Sequence, residues 1–313
     1  MFGGWLGNPA ATIYGFSDWS NGLIIMKTKA YVYAVTFVVL FSGMVADVLA
    51  VTASEYAVVI NLAGRQRMLT QKMSKEMLLV AKGIDADVNR KSLKGTAKLF
   101  DSTLNGLLHG DANIGLLPTG SAVIVKQLGK VQKLWSDFHG IVKTVIDGGS
   151  VPVGKVATLN LPLLKNMNTA VRLYEKEAKK ATGKSAGVVI NLAGKQRMLT
   201  QKMSKEMLLV ALNHEAQDNK ANLRGTASLF DRTLKGLRDG DKDLGLPPTK
   251  SAAIIKQLDK VAELWSQFKP VADKAGDVNV AEVSSSDLQE MVKLNLPLLK
   301  NMNAAVKMYE QAE

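Results

Sequence analysis

Apolar residues in this chain return every three or four positions. Leu93, Ala97, Phe100, Leu104 and Leu107 make one stripe, and Ile124, Leu128, Val131, Trp135, Phe138 and Val142 a second. Leu164, Met167, Val171, Tyr174 and Ala178 make a third. This is the period of an amphipathic helix that buries one face. Between the first two stripes, "HGDANIGLLPTGSA" carries the Gly, Asp, Asn and Pro of a loop. Pro162 and Pro297 are expected early in the last helix of their segments. First-turn amides have no helical partner, so a proline there costs little.

The whole pattern then recurs. "VVINLAGRQRMLTQKMSKEMLLVA" (Val58 to Ala81) returns at Val188 to Ala211 with Arg65 replaced by Lys195 as the one change. "LKGTAKLFDSTLNGLLHGD" at Leu93 matches "LRGTASLFDRTLKGLRDGD" at Leu223, and "KQLGKVQKLWSDF" matches "KQLDKVAELWSQF", all at an offset of 130. "LNLPLLKNMN" at Leu159 returns at Leu294, an offset of 135, so the second copy has gained residues between about Lys269 and Leu288. Each copy holds four helices joined by short connections, which predicts an all-α chain of two tandem up-and-down four-helix bundles, residues 51–183 and 184–313. The join "KKATGKSAG" reads equally as a turn, setting the bundles side by side, or as continuous helix, stacking them end to end.

Ahead of the repeats, Met26 to Ala50 reads as a secretory signal. Lys27 and Lys29 precede the apolar run Ala30 to Val45, and Val48 and Ala50 offer a cleavage site. The run is short for a membrane span and is interrupted by Asp47. The expectation is therefore a periplasmic or secreted protein, with an uncleaved N-terminal anchor as the alternative. Residues 1–25 read as an extension upstream of a true start at Met26.

The near-identical segment has two faces on a helix. Leu62, Leu69, Met73 and Val80 are an apolar stripe, whereas Ile60, Gly64, Arg67, Gln71, Ser74 and Leu78 step four and three apart with a polar middle. That interrupted seam makes a poor core and a good small polar site. Gly64 lets another backbone approach, and Arg67 presents a planar fork of donors suited to an oxyanion. From Lys82 to His139 only roughly half the positions match their counterparts, yet the opening segment keeps even its lysines. Packing tolerates apolar swaps and rarely fixes exposed residues.

Composition narrows the chemistry. There is no cysteine, and the three histidines (His109, His139, His214) are scattered, so thiolate and histidine metal sites are not expected. Met68, Met73 and Met77 could ligate Cu(I), but helical spacing makes methionine a core filler more often. The net charge of +12 is spread and interleaved with acids, without the arginine-rich run that would suggest nucleic acid. No catalytic triad, phosphate loop or cofactor motif is present, and no enzyme is expected.

The sequence "INLAGRQRML" resembles the P-box of the periplasmic sensor domain shared by NarX-type nitrate/nitrite sensor kinases and PilJ-type type IV pilus chemoreceptors. The shared pattern is Ile-Asn-x-Ala-Gly-x-x-Arg-Met. "LFDSTLNGLLHGD" and the "LW" segments are also PilJ-like, so the resemblance covers both repeats, about four-fifths of the chain. In the nitrate sensors the first helices of two subunits pair, and one arginine from each grips a shared nitrate. The resemblance puts that arginine at Arg67 and Arg197, flanked by Asn61, Gly64 and Met68 and by Asn191, Gly194 and Met198. Gln71 and Gln201 on the polar seam complete the candidate set. Two P-boxes in one chain could pair as an intramolecular pseudo-dimer around one small anion, nitrate or nitrite, or serve a homodimer. Family sensors continue into a second span and a kinase or methyl-accepting module; the expectation here is a protein without its own output module. The expected role is an exported sensory or solute-binding protein that works with a membrane sensor kinase or chemoreceptor. The alternative is a structural protein docking to a pilus-chemosensory or receptor partner.

Overall fold

The computed structural model describes residues 51–183 and 186–312, so the signal and extension readings for residues 1–50 lie outside it. The first repeat comprises α1 (Ala53–Ala81), α2 (Ala86–His109), α3 (Ala122–Ile146) and α4 (Val153–Thr182). The second comprises α5 (Ala186–Ala211), α6 (Ala216–Asp239), α7 (Ala252–Gly276) and α8 (Ser285–Gln311). Among the described residues the extended structure is limited to the isolated pairs Asp111–Leu116 and Asp241–Leu246, so the chain is all-α as expected.

Local chemistry sets the helix ends. Thr52 Oγ1 accepts from the Glu55 amide at 3.2 Å while the Glu55 carboxylate accepts the Thr52 amide at 2.7 Å, a reciprocal cap that starts α1. Ser284 and Asp287 make the same cap on α8. The turn after α1 needs a left-handed residue, supplied by Gly83 (φ 73°) in one copy and Asn213 (φ 52°) in the other.

In each repeat the first helix packs on the second and fourth, and the third closes the ring between them. The periodic stripes form the two cores: Leu93, Phe100, Ile124, Leu128, Phe138 and Val142 are fully buried. Phe100 meets Trp135 at 4.5 Å between ring centroids, as Phe230 meets Trp265. Asp101 and Asp231 accept the Trp135 and Trp265 indole N–H groups at 3.0 and 2.9 Å.

The expected place of the prolines is corrected. Pro162 and Pro297 lie well inside α4 and α8, not in the first turn. Val156, Asn160 and Leu163 already belong to the buried face, so packing extends the helix back through the proline. Asn166 Nδ2 donates to the Pro162 carbonyl at 2.9 Å and Asn301 Nδ2 to that of Pro297 at 3.0 Å.

The join resolves as a reversal. α4 ends at Gly183, left-handed at φ 69°, and α5 runs back alongside α1. The two bundles therefore sit side by side, and α1 with α5 forms the most extensive helix contact in the described residues. The two helices are parallel and in register. At one end Ile60 packs beside Gly187 and Ile190, and at the other Lys82 Nζ donates to the Ala211 carbonyl at 3.1 Å. Residue n thus faces the neighbourhood of residue n + 130, a pseudo-two-fold built into one chain.

Candidate functional site

The polar seam read from the sequence is the face along which α1 and α5 meet. Its ends are apolar, with Ile60, Leu78, Ile190 and Leu208 at 1% exposure or less. Removing such side chains from water supplies about 1.5–3 kcal/mol each and holds the polar middle together. That middle is fully enclosed. Arg67 is 1% exposed and Arg197 2%, while Gln71, Gln201, Ser74 and Ser204 are at 0%.

Each arginine crosses to the opposite repeat. Arg67 Nη1 donates to Asn168 Oδ1 on its own α4 at 2.8 Å, and Nη2 to the Asn191 carbonyl on α5 at 3.1 Å. Arg197 mirrors this with Asn303 Oδ1 at 2.8 Å and the Asn61 carbonyl at 3.2 Å, and adds Asn61 Oδ1 at 2.7 Å. The glycines border the crossing. A Cβ at Gly64 would stand 3.4 Å from Arg67 Nη2 and 3.8 Å from Arg197 Nη2; at Gly194 the distances are 3.2 Å to Arg197 and 3.9 Å to Arg67. Both guanidinium groups therefore flank one small region between the helices.

The electrostatics of that region are unusual. Among the described residues no carboxylate lies within ion-pair distance of either arginine. Both Nε groups are buried without an acceptor, and Asn191 Oδ1 is buried without a donor. Burial pushes the pKa of Arg67 down to about 10 and that of Arg197 to about 9, with the neighbouring Arg65 and Arg67 adding to the latter. Both stay charged at neutral pH. The nearest acids stand one residue removed: Glu175 accepts the Asn191 amide at 2.6 Å, and Glu310 accepts the Asn61 amide. Two buried like charges thus stand near each other, each with a donor that finds no acceptor among the described residues.

All ten candidate residues fall on or beside this seam. Met68 and Met198 are buried, at 7% and 6% exposure, Gln71 Nε2 donates to Asn160 Oδ1 at 2.8 Å, and Gln201 Nε2 to Asn295 Oδ1 at 3.0 Å. Met73 and Met77 are fully buried core residues. Several participants on the other helices were not singled out from the sequence: Asn160, Asn168 and Glu175, with their counterparts Asn295, Asn303 and Glu310. The retained lysines find a reason here too. Lys75 Nζ reaches Asn295 Oδ1 at 2.7 Å and Lys205 Nζ reaches Asn160 Oδ1 at 3.2 Å, each tying one repeat to the other. Lys72 pairs with the buried Glu76 and bonds Ser92 and Thr96 at 3.0 and 2.9 Å. These lysines are half-buried or buried, not a solvated face.

The chain belongs to the PilJ family, described as the N-terminal region of type IV pili methyl-accepting chemotaxis transducers, whose model matches residues 50–159 and again 181–291. Methyl-accepting chemotaxis protein McpN of Pseudomonas aeruginosa is 31% identical over 119 residues, 38% of this chain and 21% of that protein. Protein PilJ of the same organism is 26% identical over 211 residues, 65% of this chain and 30% of that protein. The chain thus spans between a fifth and a third of the length of these relatives. The family is a sensory one, not a class of enzymes, and it gives the chain a sensory or signalling role. No helix among the described residues is long and apolar enough to cross a membrane.

Proposed function

We propose that this protein is an exported sensory module in which the α1–α5 seam binds one small anion between Arg67 and Arg197. Nitrate or nitrite is the first ligand to test. The observation that carries the reading is the convergence of two fully buried guanidinium groups, each with an unpartnered Nε and no carboxylate in ion-pair contact. An anion between them would relieve their repulsion and accept the free donors, each charge-assisted bond contributing about 1.5–3 kcal/mol. Asn61, Gly64, Met68 and Gln71 with Asn191, Gly194, Met198 and Gln201 form its walls. Because the seam is consumed within one chain, the pseudo-dimer accounts for the duplication without a second subunit. Residues 26–50 direct export, and the anion-loaded module acts on a membrane-bound chemoreceptor or sensor kinase.

The test is thermal unfolding of the purified protein against nitrate, nitrite, chloride, sulfate and acetate at fixed ionic strength. A ligand at 100 times its dissociation constant stabilises the fold by about 2.7 kcal/mol. One of these anions is expected to raise the midpoint, and Arg67→Ala and Arg197→Ala are each expected to abolish the rise. A flat response to every anion would overturn the site. A rise that survives in one of the two variants would show that the arginines do not share a ligand.

A further inference from the structure

We propose that the first repeat carries a second binding site, separate from the seam, that takes the ammonium head of a small organic cation. It lies at the end of the bundle where α1 begins and α4 ends, under the loop between α2 and α3. A cavity of about 70 Å³ opens there, lined by Tyr56, Val59, Leu117, Pro118, Tyr174 and Glu177 among others. A water needs roughly 10–15 Å³ of such space, so the cavity takes a group of several heavy atoms. Its walls are largely apolar with a few polar groups, the usual make-up of a small-molecule site. Glu177 is the one charged residue in the lining. It is half-buried and makes no ion pair among the described residues, and Lys176, Lys179 and Lys180 on its own helix are exposed. Burial raises the pKa of Tyr56 and of Tyr174, and the Glu177 charge adds to both, so this carboxylate stands close to the two hydroxyl groups. An unpaired carboxylate beside two phenols attracts a cation by its charge, and the phenols add their oxygens and electron-rich rings.

The second copy of the same motif is built differently. There Thr249 ties the loop to the bundle: its amide donates to the Arg238 carbonyl at 3.1 Å, and its hydroxyl donates to the Leu237 carbonyl at 2.6 Å and meets Tyr309 Oη at 2.5 Å. Thr119 stays near the Tyr174 hydroxyl but makes neither bond to the end of α2, and its hydroxyl accepts the Ser121 amide at 3.4 Å. The lining residues change together with the loop. Tyr56, Glu177 and Gly120 correspond to Ala186, Ala312 and Lys250, so the second copy has neither the acid nor the second tyrosine and sets a cation at the position of Gly120. Tyr174 is kept as Tyr309, and in both copies that hydroxyl donates to a carbonyl of the preceding hairpin helix, Leu107 at 3.3 Å and Leu237 at 3.2 Å. The shared tyrosine thus serves the fold, whereas the groups special to the first copy are those that attract a cation.

The experiment is calorimetric titration of the purified protein with methylammonium, ethylammonium and tetramethylammonium chlorides at fixed total chloride. Sodium serves as the inorganic reference and ethanol as the neutral one. At least one alkylammonium ion is expected to bind saturably, and sodium and ethanol are not. Glu177→Ala and Tyr56→Ala install the residues that the second copy already carries at these places, so the fold is expected to tolerate both. Glu177→Ala should weaken binding about tenfold or more, the loss of one charge-assisted contact. Glu177→Gln, which keeps the size of the side chain, should weaken it to the same degree. Tyr56→Ala should cost about threefold. Failure of every alkylammonium ion to bind the wild type would overturn the site, as would equal binding by the wild type and all three variants. Ethanol binding as tightly as ethylammonium would overturn it too, because the cavity would then read shape and not charge.

Discussion

Gly64→Ala separates the stability of the seam from the anion binding proposed for it. Gly64 has ordinary helical backbone geometry in the interior of α1, where alanine is favoured over glycine by about 0.8–1 kcal/mol. The nearest atoms to the new methyl would be Arg67 Nη2 at 3.4 Å and Arg197 Nη2 at 3.8 Å, ordinary van der Waals distances, so little strain offsets that gain. The ligand-free protein is then expected to unfold about 2–4 °C higher than the wild type. The same methyl occupies the region that both guanidinium groups flank, so the anion-induced rise in midpoint is expected to shrink or vanish. The assay is a pair of melting curves, with and without saturating anion, for wild type and variant. Gly194→Ala should behave alike with a smaller gain, because its closest contact is 3.2 Å and Arg197 must shift slightly. A Gly64→Ala protein that melts lower than the wild type would mean the glycine serves close helix packing. One that melts higher and keeps its full response to anion would mean the ligand lies elsewhere.

Other consequences can be measured directly. Burial lowers the pKa of Lys75 and Lys205 to about 8, against 10.5 for the unfolded residue. Between those values the unfolded state binds more protons, so stability should rise with pH from about 8 upward. Urea midpoints at pH 7.5 and 9.5 should show that rise in the wild type and a smaller one in Lys75→Met/Lys205→Met; an equal rise in the variant would refute the burial account. Asn168→Ala and Asn303→Ala each remove the acceptor of a buried arginine Nη1 and should destabilise by about 1–3 kcal/mol in denaturant unfolding. Phe100→Ala opens a fully buried position against Trp135 and should lose about 3–5 kcal/mol; a loss below 1 kcal/mol would contradict the assigned core.

The helices were legible because each carries its own period: the stripes of Leu93 to Leu107 and Ile124 to Val142 are buried throughout at their periodic positions. The seam was legible for the same reason, as Ile60 to Leu78 breaks an apolar spacing with Gly, Arg, Gln and Ser. What the linear pattern concealed depends on partners far away in sequence. Asn160 bonds Gln71 and the Thr70 carbonyl across about 90 residues, and on its own helix it reads only as a polar break in an apolar face. Glu175 and Glu310 sit near helix ends among other charges, where nothing local marks them. The prolines misled because first-turn tolerance is a local rule, while the helix extends past Pro162 by burying Val156 and Asn160. The side-by-side arrangement hung on Gly183, one residue whose left-handed turn no periodicity encodes.

The fusion of both halves of the seam into one chain changes what mutation can explore. A site on the two-fold axis of identical subunits must alter both walls with every substitution, so it can only sample symmetric pockets. Here the walls are encoded separately, and the exchange of Arg65 for Lys195 shows that they have begun to differ. A single substitution can reshape one side of the seam and leave the other intact. Nor does dilution take the halves apart: the seam is assembled whenever one chain folds, whatever the number of copies in a cell.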